Sequence, residues 1–545
     1  MNTKNILLIE PGYPNKYPPL GLMKLASYHG PNGRGDNVIF VKGEAPGVLD
    51  TAWDRVYVTT LFSFEWNRTA AAIDFAVRAA RGQQERVFVG GIAASLMHDA
   101  FLLEPRWAGV RFIKGLLDGP PSLSLRLSAE EFEFGAEDLT GKPIEELIPD
   151  YSILDHVVYR YPVNDAYFGY ASRGCIRKCA FCGVPALEGD QREMPPLTEL
   201  VNGIRERHGE KKDMVLMDNN ITASSRYQEV IAEIVDLGFE RGATLARDGK
   251  PAVKRRVDFN QGVDARILAK SPMFLKEMAK VCISPLRIAF DHMGVRKPYI
   301  KSVHMAADNE ITSLSNYMLY NFMDTPEDLY ERMLVNIHLN EERGIHIWSF
   351  PMRYQPLQLK DRSHVGKNWN RYYLRSFQIM LQATRGVVSG NPSFFRHAYG
   401  QDQQEFLHLI SLPHAFIFHR DYFQYGEGRS QRDEYEALRR RLSESQEKEL
   451  IRLLAGPQSA QRLDEGSYFR LANDHSIDPL IRQVVGFHTL GTKYAPSVMG
   501  PESLPLYAKL DTDQPTPPED EVVEDAGLFD HDRTIEALGL AAELP

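Results

Sequence analysis

Cysteine is scarce in this chain: there are four in 545 residues, three of them within eight positions. So few thiols build no disulfide framework, and a reducing compartment is expected. Long apolar runs are missing too. No stretch approaches the roughly 18 residues that cross a bilayer, and the N-terminus lacks a basic-then-apolar signal pattern, so a cytoplasmic protein is expected. Nor is there an excess of positive charge. The formal net charge is −10, and Asp511 to Pro545, with eleven acidic residues against Arg533 alone, carries all of it. The rest of the chain is neutral. That excludes a broad basic footprint for nucleic acid, so neither a nucleic-acid nor a membrane partner is expected. The acidic segment reads as a solvated tail. A hydrophobic content of 43% and a charged content of 25% are ordinary for a globular protein.

The thiols themselves carry the chemistry. Cys175, Cys179 and Cys182 stand in Ser-Arg-Gly-Cys-Ile-Arg-Lys-Cys-Ala-Phe-Cys-Gly, a CX3CX2C spacing. Three thiolates so close in sequence can hold three irons of a 4Fe-4S cube and leave the fourth iron open to another ligand. Zinc is the other reading, but zinc sites usually combine paired Cys or His groups into four ligands, and no second pair occurs here. Only Cys282 remains, too little for a second all-cysteine cluster. Its place just before a strand suits a buried structural thiol.

This spacing, with Phe181 before the third cysteine, resembles the signature of the radical SAM superfamily. The resemblance implies that the open iron is chelated by S-adenosylmethionine. It also implies reductive cleavage to a 5′-deoxyadenosyl radical that abstracts hydrogen from an organic substrate, with the protein supplying placement and shielding. An external electron donor such as flavodoxin or ferredoxin would be required. The lack of further cysteines argues against classes with auxiliary clusters, such as methylthiotransferases.

Residues 1–125 alternate short apolar runs with helical segments, which predicts an α/β, doubly wound, Rossmann-like domain. Strands are expected at Asn5–Glu10, Asn37–Lys42, Arg55–Thr60, Arg86–Gly90 and Gly109–Lys114, with helices near Leu20–His29 and Thr69–Arg81. Ligands bind such sheets beyond the carboxyl ends of the strands, here near Thr60 and the Gly90-Gly91 turn. Tyr17-Pro18-Pro19-Leu20-Gly21-Leu22, Val87-Phe88-Val89-Gly90-Gly91 and Ile113-Lys114-Gly115 resemble the cobalamin-binding domain that precedes many radical SAM domains. That implies cobalamin as a further cofactor and methyl transfer as the sequel. The Asp-X-His-X-X-Gly sequence of the branch that uses a histidine ligand is absent; radical SAM relatives often hold the corrin without one. A domain that keeps the fold without the cofactor is the alternative.

After a linker, 126–160, residues 161–357 alternate again, and about six strands suit the partial, TIM-like (β/α)6 barrel of the radical SAM family. Polar residues close its strands. Asp218, Asn219 and Asn220 follow the second strand, where family members contact the methionine amino group. Gln261, Asp264 and Arg266 follow the third and suit a ribose and a carboxylate; Asn321 follows the fifth. From 358 to 510 long helical patterns take over, including Asn370–Val387 and Asp433–Leu454, and a helical cap over the substrate is expected. Residues 511–545 form the acidic tail. Three readings stay open: a cobalamin-dependent radical SAM methyltransferase, a cobalamin-free radical SAM enzyme catalysing a rearrangement or oxidation, and a non-catalytic iron-sulfur redox sensor.

Overall fold

The computed structural model describes residues 3–118, 142–247, 249–384, 386, 388–456 and 465–492. The acidic tail and residues 126–141 of the linker lie outside the described residues. The chain divides into two compact units. One takes Met1–Ile288, Met305–Ile311 and Gln355–Arg362, the other Ala289–His304, Thr312–Tyr354 and Ser363–Pro545.

In the first unit, β1 (Asn5–Glu10), β2 (Asn37–Lys42), β3 (Arg55–Thr60), β4 (Val87–Gly91) and β5 (Arg111–Phe112) form a sheet of order β2-β1-β3-β4-β5. All neighbours pair in parallel. Ile6, Leu7, Leu8 and Ile9 are all fully buried, because a parallel sheet covered on both faces needs a continuous apolar run rather than alternation. The order reverses between β1 and β3, the doubly wound pattern the sequence predicts. β5 is shorter than expected. As an edge strand it has one neighbour, β4, and pairs with it only through Arg111 and Phe112. At the end of β4, Gly91 adopts φ 100°, and a Cβ there would lie 2.4 Å from the Thr60 carbonyl oxygen.

Further along the same unit, β6 (Ala166–Gly169), β9 (Asp213–Leu216) and β12 (Val257–Phe259) pair in parallel in the order β12-β9-β6. Two antiparallel hairpins are inserted, β7 (Ser172–Arg173) with β8 (Arg192–Glu193) and β10 (Thr244–Arg247) with β11 (Lys250–Lys254). Beyond β12 come the short β13 (Leu286–Arg287) and a bridge between Val263 and Ile288.

In the second unit, β14 (Ser313–Tyr320) and β15 (His346–Arg353) pair in parallel over eight residues, joined by the helix Pro326–Arg343. That helix starts with a capping box between Thr325 and Asp328 and stops at Gly344 in the left-handed conformation. The described residues after Ser363 are mainly helical, as expected. The single helix expected over Asp433–Leu454 is instead two, Arg429–Arg439 and Glu444–Ala455. Ser443 is the reason: its hydroxyl accepts from the Gln446 N–H and the Gln446 side chain answers at the Ser443 N–H, a capping box that starts a new helix. Trp369, Tyr372, Phe395, His414 and His419 are buried in this packing. Among the described residues, no helix is long and apolar enough to cross a membrane.

Gly91→Ala is expected to lower stability by roughly 2–4 kcal/mol, since it combines a left-handed backbone with a clash against main chain. The midpoint of denaturant unfolding followed by circular dichroism measures it.

Candidate functional site

The cysteine loop begins where β6 ends, at the carboxyl end of a parallel strand. β7 and β8 pair Ser172 with Glu193 and Arg173 with Arg192, so the hairpin closes the base of the loop. Gly174 makes the turn possible. It adopts φ 76°, and a Cβ would sit 2.2 Å from the Asp190 carbonyl oxygen, so only glycine lets the two ends of the loop touch. The Cys175 N–H donates to Gly189 O at 3.3 Å across the same closure, and Cys182 N–H donates to Cys179 O at 3.0 Å within the loop.

All three thiols are half-buried and none forms a disulfide. The Arg177 N–H donates to Cys175 Sγ at 3.3 Å. Among the described residues, no three His, Cys, Asp or Glu side chains are grouped to hold a single metal ion. A cubane asks for something different, one thiolate on each of three irons. Three thiols on one loop, none in a disulfide and one with an N–H directed at its sulfur, fit that group. Phe181 is half-buried beside Cys182.

Carboxylates from three other elements hold this loop. Asp218, buried after β9, accepts from Ala171 N–H at 3.0 Å, Ser172 N–H at 2.5 Å and the Ser172 hydroxyl at 2.7 Å. Asp264, after β12, accepts from Arg177 Nε at 2.7 Å and from Arg266 Nε at 2.8 Å, and it caps the helix Ala265–Leu268 through the Arg266 N–H at 2.9 Å. Burial alone would raise the Asp264 pKa; hydrogen bonds from Arg266 and Arg177 hold it below the usual carboxylate value. The Cys179 thiol is a further partner of the Arg266 guanidinium. Glu188, at the end of the helical turn Val184–Leu187, accepts from Gly174 N–H at 2.8 Å and Asn219 Nδ2 at 2.9 Å.

The sequence-chosen residues therefore divide. Asp218, Asn219, Asp264 and Arg266 gather round the cysteine loop. Asn220 is buried and accepts from the Thr222 hydroxyl at 2.8 Å, whereas Gln261 is exposed on the turn after β12. Asn321, in the second unit, has φ 68° and is fully buried. Its amide serves its own backbone, donating to Tyr354 O and His364 O at 3.2 and 3.3 Å and accepting from Gly366 N–H at 2.7 Å. Arg177 and Glu188 were missed. Their partners lie up to 87 positions away, and the acidic residue closing an apolar turn at 188 was the one available signal.

The N-terminal sheet was tested for a corrin. The Thr60 hydroxyl already donates to Gly90 O at 2.9 Å and accepts from Ala94 N–H at 2.8 Å. Gly91 is needed for its approach to Thr60. At the switch between β1 and β3, Tyr13 fills the crevice, buried and accepting from Leu61 N–H at 2.9 Å. Glu10, fully buried at the end of β1, accepts from Lys42 Nζ at 2.8 Å and from Asn15 and Tyr161. The Lys42 ammonium lies 4.5 Å from the ring centre of Tyr159 and 5.3 Å from that of Tyr161. Burial weakens the charge on both partners, raising the Glu10 pKa and lowering that of Lys42. Tyr13 thus stands at the switch point and the Glu10–Lys42 pair bridges the ends of β1 and β2, so a corrin side chain entering there would have to displace bonded side chains.

Cys282 stands apart. Its carbonyl accepts from Val257 N–H at 2.9 Å, beside the first residue of β12 and away from the cysteine loop.

No protein-family model matches this chain, and no curated protein does. Among solved structures, it is similar to the radical S-adenosylmethionine methyltransferase TsrM from Kitasatospora setae, determined with tryptophan substrate and a SAM analogue. The TM-score is 0.43 at 15% identity, over 62% of this chain and 72% of that one. Streptococcus suis SuiB bound to precursor peptide SuiA gives a TM-score of 0.27 at 12% identity, over 39% of this chain and 44% of that one. Likenesses this loose establish neither a family nor a reaction.

Burial pushes the Cys282 thiol up to about 11, so in the cluster-free protein at pH 7.5 iodoacetamide is expected to label the three loop cysteines and spare Cys282, as read by peptide mass spectrometry. Burial also raises Asp218 to about 6 from 3.8, with hydrogen bonds from Ser172 and Ala171 opposing. A carboxylate raised in the native state favours folding below its unfolded value and loses that contribution as pH climbs through the native one. The stability advantage of the wild type over Asp218→Asn is therefore expected to shrink between pH 4 and pH 7, by up to about 3 kcal/mol in urea titrations.

Proposed function

We propose that this chain is a radical SAM enzyme whose cysteine loop carries a 4Fe-4S cluster. The observation that carries the proposal is the loop itself: three half-buried thiols outside any disulfide, on a loop closed by a hairpin at the carboxyl end of a parallel strand and anchored by carboxylates. When bound, the cluster supplies the electron that cleaves S-adenosylmethionine, so that a 5′-deoxyadenosyl radical can take hydrogen from an unactivated carbon.

The chain's own part is placement. Cys175, Cys179 and Cys182 hold the irons, and Asp218, Glu188 and Asp264 fix the loop that presents them. Arg266, charged and paired with Asp264, stands beside the Cys179 thiol, where positive charge favours thiolate. Asn219, Gln261 and Asn220 are the polar groups nearest for S-adenosylmethionine in sequence terms, at the ends of strands β9 and β12. Reduction would come from an external one-electron donor such as flavodoxin or ferredoxin, and the substrate is an organic molecule. The filled crevice of the N-terminal sheet favours a rearrangement or oxidation without cobalamin over methyl transfer from a corrin.

Anaerobic reconstitution with iron, sulfide and hydroxocobalamin tests both parts. The reduced protein is expected to give an electron paramagnetic signal that S-adenosylmethionine changes, to form 5′-deoxyadenosine, and to retain well under one corrin per chain after gel filtration. Cys179→Ala is expected to abolish 5′-deoxyadenosine formation. A protein with no such signal would sink the cluster assignment; near-stoichiometric corrin would restore methyl transfer.

A further inference from the structure

A chain of four buried charges runs into the start of the cysteine loop. Lys24, on the helix Leu20–His29 that follows β1, donates to Glu145 Oε1 at 3.0 Å and to the Glu145 carbonyl at 2.5 Å. Glu145 lies 3.2 Å from Arg173, and Arg173 donates in turn to Glu188 Oε1, also at 3.2 Å. All four side chains are at most 8% exposed. The Arg173 guanidinium lies 3.8 Å from the ring centre of Tyr170, and Lys24 lies 5.7 Å from the same centre on its other approach to the network.

The signs alternate, so each charge has its nearest compensation in its neighbours. Removing one leaves a buried partner unpaired, which is far costlier than losing a surface pair. Glu188 is where the network meets the loop. One oxygen takes Arg173, and the other takes the Gly174 N–H and Asn219. Cys175 is the next residue and Cys182 lies on the same turn of chain that ends in Glu188. A single carboxylate thereby ties the exit of the loop to its entrance.

We propose that Glu188, Arg173 and Glu145 are positioning residues for the cluster, and that they couple the N-terminal sheet to it through Lys24. The sheet then has a role that needs no cofactor of its own: its first helix braces the loop. Partners that orient metal ligands from outside typically affect metal affinity by about 10- to 100-fold. The inference rests on the cluster reading above.

The test is iron release to a chelator under anaerobic conditions, with the electron paramagnetic line shape recorded beside it. Reconstituted full-length wild type is compared with Glu188→Gln, Glu145→Gln and, as a control in the same loop, Lys178→Gln, which removes only an exposed ion pair with Asp190. Glu188→Gln and Glu145→Gln are expected to release iron about 10- to 100-fold faster with an altered line shape, while the control matches wild type. Should Glu188→Gln fail to fold by gel filtration and circular dichroism, Glu145→Gln decides, because it touches no backbone of the loop. Wild-type release and line shape in a folded Glu145→Gln or Glu188→Gln would overturn the proposal. Acceleration in the control as large as in the others would overturn it too. A wild type that takes up no iron overturns the cluster reading and this inference together.

Discussion

On the cluster reading the cysteine loop has to face a polar inorganic group, so an apolar core cannot fix it. Here the fixing is done by carboxylates, two from beyond the loop and one at its exit. Asp218 gathers the two N–H groups that precede it, Glu188 gathers the N–H just before the first cysteine, and Asp264 gathers Arg177 from its middle. Each comes from a different element: the end of β9, the turn after the cysteines and the end of β12. The parallel strands β9 and β12 deliver two of these anchors, and the loop's own exit supplies the third.

The N-terminal sheet shows the opposite economy. Tyr13 is bonded at its switch point, the usual ligand crevice of a doubly wound sheet, and the Glu10–Lys42 pair with its tyrosines bridges the ends of β1 and β2 beside it. Its Gly90-Gly91 turn serves close contact with Thr60. A fold that commonly binds a ligand can thus be kept for mechanical reasons, and fold alone does not assign function. The helix that carries Lys24 gives such a reason.

Much of the backbone was legible from sequence. β1, β2 and β3 fall on the expected residues because buried parallel strands demand continuous apolar runs, which are easy to see. The failures lie where a local polar bond competes with a periodic pattern. Ser443 breaks a helix whose apolar rhythm continues across it, and the edge strand β5 shrinks for lack of a second neighbour. Among site residues, the cysteines needed only spacing, and the polar strand ends Asp218, Asn219, Asp264 and Arg266 needed only their place after a strand.

The sequence by itself determined the three thiols, their spacing and the strand they follow, since ligand count and loop length are local properties. Only the tertiary structure decided what holds them. The local sequence at Glu188 and Arg177 does not name their partners; Asp218 and Asn321 look alike as polar strand ends, yet one clamps the cysteine loop and the other staples backbone at Tyr354, His364 and Gly366. Whether a buried carboxylate meets an arginine, an N–H or a ligand depends on contacts tens of positions apart, and no periodicity records those.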